Sequence, residues 1–222
     1  MARAIALSAL LTLAACSAPP APPGDGGVDA GADAARPCAA GFVGDAGEEV
    51  ELVVTALLGA TATEVKDGDA VPLVFPPQGG RVIFAGVRAR NLDTCAVTLT
   101  GVLRDPATKQ VRLDARTVNL LGAADGWAET DASDYSTFSN IPVCPNEWSD
   151  TDVMGNVYEL EITVADRGGR TGTKKLSVTP VCAEPALEAE CRCLCHAGYK
   201  LGEACSDTGL PDAGAGDAGG GG

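Results

Sequence analysis

The chain has 222 residues, of which 45% are hydrophobic but only 4% are aromatic. Its formal net charge of −14 argues against nucleic acid and anionic lipid headgroups as partners, because both are negatively charged. A single histidine, His196, leaves little material for histidine-based catalysis or for a metal site with several histidine ligands.

The amino terminus has the pattern of an export signal. Arg3 supplies a positive charge, and residues 4–14 form an apolar run shorter than the about 20 residues that a bilayer span needs. Residues 13–16 (LAAC) resemble the lipobox of bacterial lipoproteins, in which an aliphatic and two small residues precede a cysteine. The resemblance implies that the signal peptide 1–15 is removed and that acyl chains on Cys16 anchor the protein to a membrane.

The residue after Cys16 bears on the destination of the anchored chain. The best-known signal for retention in the inner membrane is an aspartate at this position, whereas this chain has Ser17. The sequence therefore predicts an outer-membrane lipoprotein. The alternative is an ordinary secretory signal with an incidental cysteine.

Two low-complexity segments flank the body of the chain. Residues 16–37 comprise the predicted lipidated cysteine and a stretch of Pro, Gly, Ala and Asp that has almost no large apolar side chain to bury. We interpret this stretch as a disordered tether, extended in its proline-rich part. Residues 206–222 have the same character and are predicted to be a disordered tail.

The body of the chain has the alternation of β-strands. In residues 157–164 the apolar side chains recur at every second position, and residues 166–169 (DRGG) form a turn signal. No window of 12 residues has a convincing helical stripe. The predicted strands are residues 49–58, 81–90, 95–103, 110–120, 138–143, 157–164 and 173–181. The fold class predicted for residues 38–181 is all-β, an antiparallel immunoglobulin-like β-sandwich of about seven strands.

The last two predicted strands carry a resemblance. Residues 155–182 (GNVYELEITVADRGGRTGTKKLSVTPVC) resemble the final hairpin of bacterial immunoglobulin-like and PKD-like modules. Such modules serve many unrelated functions, so the resemblance supports the fold and implies no activity.

With Cys16 lipidated, an even number of cysteines remains, which in an exported chain predicts disulfides. The eight are Cys38, Cys95, Cys144, Cys182, Cys191, Cys193, Cys195 and Cys205. A zinc site at the C-x-C-x-C-H run of residues 191–196 is an alternative. The oxidising compartment and the lack of the usual two-residue ligand spacing argue against it.

Residues 193–205 resemble the carboxyl-terminal half of an EGF-like module. The shared pattern is C-x-C-x-x-G-aromatic, followed by a glycine three residues before the last cysteine. Residues 182–205 contain five cysteines, whereas a complete module has six. We therefore expect this segment to be a partial EGF-like, disulfide-rich cap.

Strand direction constrains the cysteine pairing, since consecutive strands of a sandwich alternate in direction. We expect Cys38–Cys95 and Cys195–Cys205. The other four cysteines would pair as Cys144–Cys191 with Cys182–Cys193, or as Cys144–Cys182 with Cys191–Cys193. The first alternative is favoured, because cysteines one residue apart pair with poor geometry.

Charge and aromatic residues are unevenly distributed. Residues 81–116 hold seven basic and three acidic residues, whereas residues 122–152 hold seven acidic residues and no basic one. The second stretch, hereafter the acidic segment, also contains both tryptophans. We hypothesise that it is a binding surface, since long loops on rigid sandwiches often carry recognition. Its candidate residues are Trp127, Asp131, Asp134, Tyr135 and Trp148. The alternative is that the aromatic rings, Phe138 included, fold inward over an open sandwich edge.

Motifs for metal binding and catalysis are weak. The pairs Asp67/Asp69 and Asp150/Asp152 are rich in oxygen ligands, but neither matches a full calcium loop, and we predict no metal and no cofactor. The sequence has no G-x-S-x-G, H-E-x-x-H or P-loop motif. Acidic residues are plentiful, but nothing selects a catalytic pair for glycoside hydrolysis.

These observations predict a non-catalytic outer-membrane lipoprotein that acts as a binding or adhesion module at the cell envelope. Its partner would be an envelope or surface protein or a glycan. The alternatives are a structural subunit of an envelope protein complex and an enzyme that acts on glycans.

Overall fold

All seven predicted strands are present in the structure, a computed structural model that describes Cys38 and residues 40–206. The predicted signal peptide, Cys16, the linker and the tail beyond Ser206 lie outside the described residues. Each predicted segment contains one strand of six to twelve residues, whose bounds differ from the prediction by at most two residues. The all-β fold class is confirmed.

The described residues form further short strands and three short helices. The strands are β1 (Phe42–Val43), β2 (Glu51–Leu58), β3 (Thr61–Glu64), β4 (Ala70–Leu73), β5 (Arg81–Arg90), β6 (Leu92–Asp93), β7 (Val97–Arg104), β8 (Val111–Val118), β9 (Leu121–Gly122), β10 (Ala128–Glu129), β11 (Ser139–Cys144), β12 (Tyr158–Ala165) and β13 (Thr171–Cys182). The helices are 3-10 turns at Tyr135–Thr137 and Pro185–Leu187 and the α-helix α1 (Glu188–Leu194). The additional strands span two to four residues, too few to show an alternation in the sequence.

Two sheets face each other across the main core. The first has the order β3-β2-β5-β10-β9, with β11 also paired to β5, and the second has the order β4-β13-β12-β7-β8. Strands β2, β5 and β11 on one side and β7, β12 and β13 on the other give the immunoglobulin-like arrangement. The expectation of a purely antiparallel sandwich needs one correction, because β4 pairs in parallel with β13. The chain crosses between the sheets before β4 and therefore meets the last strand in the same direction.

The predicted alternation is confirmed in β12 and only partly in β2. Along β12 every second side chain is buried, beginning with Tyr158. In residues 49–58 the apolar alternation that includes Val54 and Ala56 predicts that Leu58 also faces inward, but Leu58 is 43% exposed and Leu57 is buried. Leu57 points to the outer face of the first sheet, where it packs with Phe84 and Phe138. This end of β2 therefore has buried side chains on both faces, whereas an alternating sequence pattern predicts burial on one face only.

The cap is fastened to the end of the sandwich by covalent and ionic contacts. Cys144 at the end of β11 is bonded to Cys195, the residue after α1. Arg81, 1% exposed, donates to the carbonyl of Leu187 at 3.3 Å and lies 3.4 Å from the carboxylate of Glu190. A buried guanidinium requires such partners, so these contacts fix the position of the cap on β5.

The observed pairing confirms Cys38–Cys95 and contradicts the rest of the predicted scheme. Cys195–Cys205 was wrong, and neither alternative for the other four cysteines is correct. The observed disulfides are Cys38–Cys95, Cys144–Cys195, Cys182–Cys191 and Cys193–Cys205.

Helix α1 is the physical reason for the difference. Cys191 and Cys195 are four residues apart, and at 3.6 residues per turn they lie on one face, buried in the main core. Cys193 lies between them on the opposite side and reaches Cys205. The three cysteines are oxidised, so they are not thiolate ligands for zinc.

Within residues 40–206, no helix combines the length and apolar composition needed to cross a bilayer.

Trypsin digestion without reduction distinguishes the observed pairing from both alternatives. Cleavage after Arg192 separates Cys191 from Cys193, and cleavage after Lys200 separates Cys195 from Cys205. We expect peptide 176–192 to appear alone with an internal disulfide, and peptides 117–167, 193–200 and 201–222 to appear as one linked species. Mass spectrometry would contradict the observed pairing if peptide 176–192 were linked to any other peptide.

Candidate functional site

Three parts of the acidic segment lie in different places in the fold. Residues 122–129 extend the first sheet as the β9–β10 hairpin. Residues 130–138 cross the outer face of β5, and residues 145–152 follow β11 and contact the cap, where the backbone amide of Asn146 donates to the carbonyl of Leu194 at 2.8 Å. The structure therefore does not gather the predicted site residues into one surface.

Trp127 is held at the end of the β9–β10 hairpin. Its amide donates to the Asp125 carboxylate at 3.2 Å, and its carbonyl accepts from the amide of Ala123 at 2.7 Å. The ring is half-buried over two guanidiniums, with Cζ of Arg90 at 4.9 Å and Cζ of Arg88 at 5.5 Å from the ring centroid. These cation–π contacts and the hairpin hydrogen bonds fix the indole on the outer face of the first sheet.

The charged groups around Trp127 form ion pairs with one another, three carboxylates with two guanidiniums. Arg88 lies 2.6 Å from Asp125 and 3.5 Å from Glu129, and Arg90 lies 2.7 Å from Glu51. Arg88 and Glu129 are direct cross-strand partners, as are Arg90 and Glu51. Arg88 of the basic stretch 81–116 thus pairs with carboxylates of the acidic segment beside Trp127. We call the set Glu51, Arg88, Arg90, Asp125, Trp127 and Glu129 the Trp127 surface.

The arginines of the Trp127 surface were missed as site residues. The alternation along β5 indicated that the two arginines lie together on one face. Val87 and Ala89 are fully buried, and the alternate residues Arg88 and Arg90 are partly exposed on the opposite face. That β10 would bring Trp127 over this pair could not be foreseen, because β10 has only two residues.

The second part of the acidic segment covers an apolar strip. Phe138 is fully buried and packs with Leu57, Val82 and Phe84 on the outer face of the first sheet. The alternative placed the aromatic rings inward over a sandwich edge; Phe138 is buried, but on the outer face of the first sheet and not over an edge. Tyr135, in contrast, is 52% exposed, with its ring centroid 5.7 Å from that of Phe84.

Gly86 in β5 permits this covering. A Cβ at this position would lie 2.5 Å from Cε1 of Phe138 and closer still to Oγ1 of Thr130. Such contacts are shorter than van der Waals separation, so any larger side chain would push residues 130–138 off the sheet.

The two aspartates of this part serve local turns. Oδ1 of Asp131 accepts from the amide and hydroxyl of Ser133, and Oδ1 of Asp134 accepts likewise from Ser136. Asp131 is only 8% exposed. Their positions are those of turn-forming residues, for which aspartate is favoured because its side chain hydrogen-bonds the backbone two residues on.

Trp148 in the third part is buried, with only 5% exposure. Its indole N–H donates to the carbonyl of Val143 at 2.8 Å, and its ring lies 5.4 Å from that of Tyr158. An open cleft of about 740 Å³ lies beside it, between residues 146–150 and the cap. The lining includes Gln110, Glu147, Asp150, Tyr199, Lys200 and Leu201.

A buried polar network lies behind this cleft. Ser149 donates to the Asp105 carboxylate at 2.8 Å and its hydroxyl is 2.9 Å from that of Tyr158. Asp105 also accepts from the amides of Ala107 and Thr108 at 2.7 and 3.2 Å. Burial acts to raise the pKa of Asp105, but the hydrogen bonds from Ser149 and the two amides outweigh it, and the net pKa is lowered. The network stabilises the loop that holds Trp148.

Three of the four aspartates considered for calcium, Asp67, Asp69 and Asp152, accept hydrogen bonds from backbone amides. Asp67 accepts from the amide of Ser177 at 2.7 Å, and Asp69 from that of Lys66 at 2.8 Å. Asp152 accepts from the amide of Ala197 at 2.8 Å. Among the residues that the structure describes, no group of three or more His, Cys, Asp or Glu side chains is placed to hold a metal ion.

The lowered pKa of Asp105 predicts a pH-dependent contribution to stability. The unfolded-state pKa is about 3.9, so the contribution is fully present above about pH 4 and is lost as pH falls through the lower folded-state value. Asp105→Ala should destabilise the protein at pH 7 by about 2 kcal/mol, since it removes three hydrogen bonds to a charged group.

Urea unfolding of the wild type and of Asp105→Ala between pH 7 and pH 2 provides the measurement. The difference between their unfolding free energies should be constant from pH 7 to about pH 4.5 and shrink below that. A difference independent of pH over the whole range would show that ionised Asp105 is not the stabilising form.

The chain matches no protein-family model, no curated protein and no solved structure significantly.

Proposed function

We propose that the protein is a lipid-anchored, non-catalytic binding module of the bacterial outer membrane and that the Trp127 surface is where it binds. The observation that carries the proposal is the half-buried indole fixed over Arg88 and Arg90 on the outer face of the sheet. Tryptophan and arginine are the residues most enriched in binding hot spots.

The disulfides support the membrane anchor. The four bonds use eight of the nine cysteines in the sequence, and the ninth is Cys16 of the lipobox-like stretch. The count leaves Cys16 outside the four disulfides, as acylation of its thiol requires. Four disulfides also favour an oxidising compartment, which agrees with export.

Rigidity supports a binding role for Trp127. The ring is held by two guanidiniums, and the hairpin that presents it is hydrogen-bonded to β5. A fixed side chain loses little conformational entropy when a ligand settles on it, so more of the contact energy is retained as affinity. Tyr135 is also exposed, but residues 130–138 serve chiefly to cover the apolar strip of the sheet.

The anchor predicts a specific dependence on Cys16. In the wild type, inhibition of lipoprotein signal peptidase should cause the precursor with residues 1–15 to accumulate, and the mature protein should fractionate with the outer membrane. Cys16→Ser should lose the acyl mass and leave the detergent phase on Triton X-114 partition. A mature wild-type chain that is soluble and unacylated would contradict the anchor and indicate an ordinary secretory signal.

The binding role predicts that Trp127→Ala weakens association with the envelope. Photo-crosslinking in intact cells, which captures protein and glycan partners alike, should give an adduct of the wild-type full chain, and the substitution should reduce its yield about tenfold, which corresponds to about 1.4 kcal/mol of lost affinity. Leu113→Ala is the matched control, since Leu113 is 53% exposed on the other sheet, and should leave the yield unchanged.

Two other outcomes would contradict the binding role. An adduct whose yield is unaffected by Trp127→Ala would favour a structural subunit that contacts its complex through another surface. Turnover of envelope glycans by the purified protein would favour an enzyme.

A further inference from the structure

We propose that the Trp127 surface binds a saccharide, specifically an uncharged chain of gluco-configured pyranose rings. This inference deepens the proposed function and rests on it, since it names the ligand of the same surface. Three features of the surface lead to it: the fixed indole, the ion pairing of the arginines around the ring, and the mixture of donors and acceptors at its border.

The fixed indole suits the apolar face of a sugar. A gluco-configured pyranose has equatorial hydroxyls, so its ring faces present C–H groups that stack on an aromatic ring. One side of Trp127 lies on the guanidiniums of Arg88 and Arg90, which leaves its outer part for a ligand. Leu121, 43% exposed on the neighbouring strand, extends the apolar area modestly.

The ion pairing of both arginines argues for an uncharged ligand. Arg88 is paired with Asp125 and Glu129, and Arg90 is paired with Glu51. A phosphate or carboxylate ligand would have to displace one of these carboxylates from its arginine. A hydroxyl can accept from a guanidinium or donate to a carboxylate while the ion pairs stay in place.

The border of the ring matches the hydrogen bonding of hydroxyls. The two arginine side chains are 38% and 41% exposed, and Glu51, Asp125 and Glu129 are 47% to 54% exposed. Donors and acceptors therefore both remain within reach of a ligand stacked on Trp127. Sugar hydroxyls use both kinds of group.

The same border argues against a protein ligand. The centres of protein–protein interfaces are rich in apolar area and depleted in Asp, Glu and Lys, although Trp and Arg are enriched there, and three carboxylates border this indole. Around Trp127, five charged side chains surround a single indole, and Leu121 is the neighbouring exposed aliphatic side chain in this hairpin. This composition favours a polyhydroxyl ligand.

The test uses the purified acylated full chain in detergent and two probes, cellotetraose and chitotetraose. The sequence has two tryptophans, and Trp148 is buried, so Trp148→Phe leaves Trp127 as the single emitter. We expect saturable binding of at least one probe by calorimetry, with a matching change in Trp127 emission. Trp127→Ala should weaken binding about 30-fold, the effect of losing a hot-spot residue.

Three controls make the result specific to the surface. Trp127→Tyr keeps an aromatic ring and should lose less affinity than Trp127→Ala. Leu113→Ala, on the other sheet, should bind as the wild type does. The thermal midpoint and the non-reducing peptide map of each variant show that it is folded.

The outcomes separate this inference from the proposed function. If folded wild-type protein binds neither tetrasaccharide while Trp127→Ala still reduces the yield of the crosslinked adduct in cells about tenfold, the saccharide is wrong and the binding surface stands. If saccharide binding is unchanged in Trp127→Ala, the placement on this surface is wrong. If neither binding nor adduct depends on Trp127, both proposals fail.

Discussion

Strand β5 must bury side chains on both of its faces, and the core and the candidate site both depend on this. On the inner face Ile83, Ala85, Val87 and Ala89 are fully buried in the main core. On the outer face one half of the strand is covered by Phe138 and its neighbours, and the other half carries Arg88 and Arg90 under Trp127. The strand is also paired with β2, β10 and β11. The pairing of β5 therefore fixes the positions of β2, β10 and β11 relative to one another.

The longer strands could be predicted because a side chain's face follows from its position at period two. Tyr158 and the alternate residues after it illustrate this, as do Leu176 and Val178 in β13. Leu57 and Leu58 show the limit, since burial on the outer face depends on a segment some eighty residues later in the chain. Strands of two residues, such as β10, arise from pairing with an existing sheet and leave no local pattern.

The candidate site could be predicted only in part, because its contacts depend on residues that are distant in the sequence. Trp127 was identified from composition, but its partners come from β2 and β5, which only the folded sheet brings beside it. Trp148 has the same residue type and a similar acidic context, yet it is buried against Tyr158. The two indoles differ in the elements that flank them, which the composition of the acidic segment does not record. The disulfide pairing depends on the fold in the same way, because the seven-residue helix α1 determines which cysteines face the sandwich.

The Cys38–Cys95 bond has a mechanical consequence. Beyond Cys38 the first paired element is β1, whose two residues pair only with β6 among the described strands and would peel away under little tension. The disulfide bypasses this weak pair, because Cys95 lies two residues before β7, and β7 is paired on both sides within the second sheet. A pulling force applied to the chain ahead of Cys38 is therefore delivered to an interior strand, where it is resisted in shear by two neighbours. The force therefore bypasses the β1–β6 pair and enters the sandwich at β7.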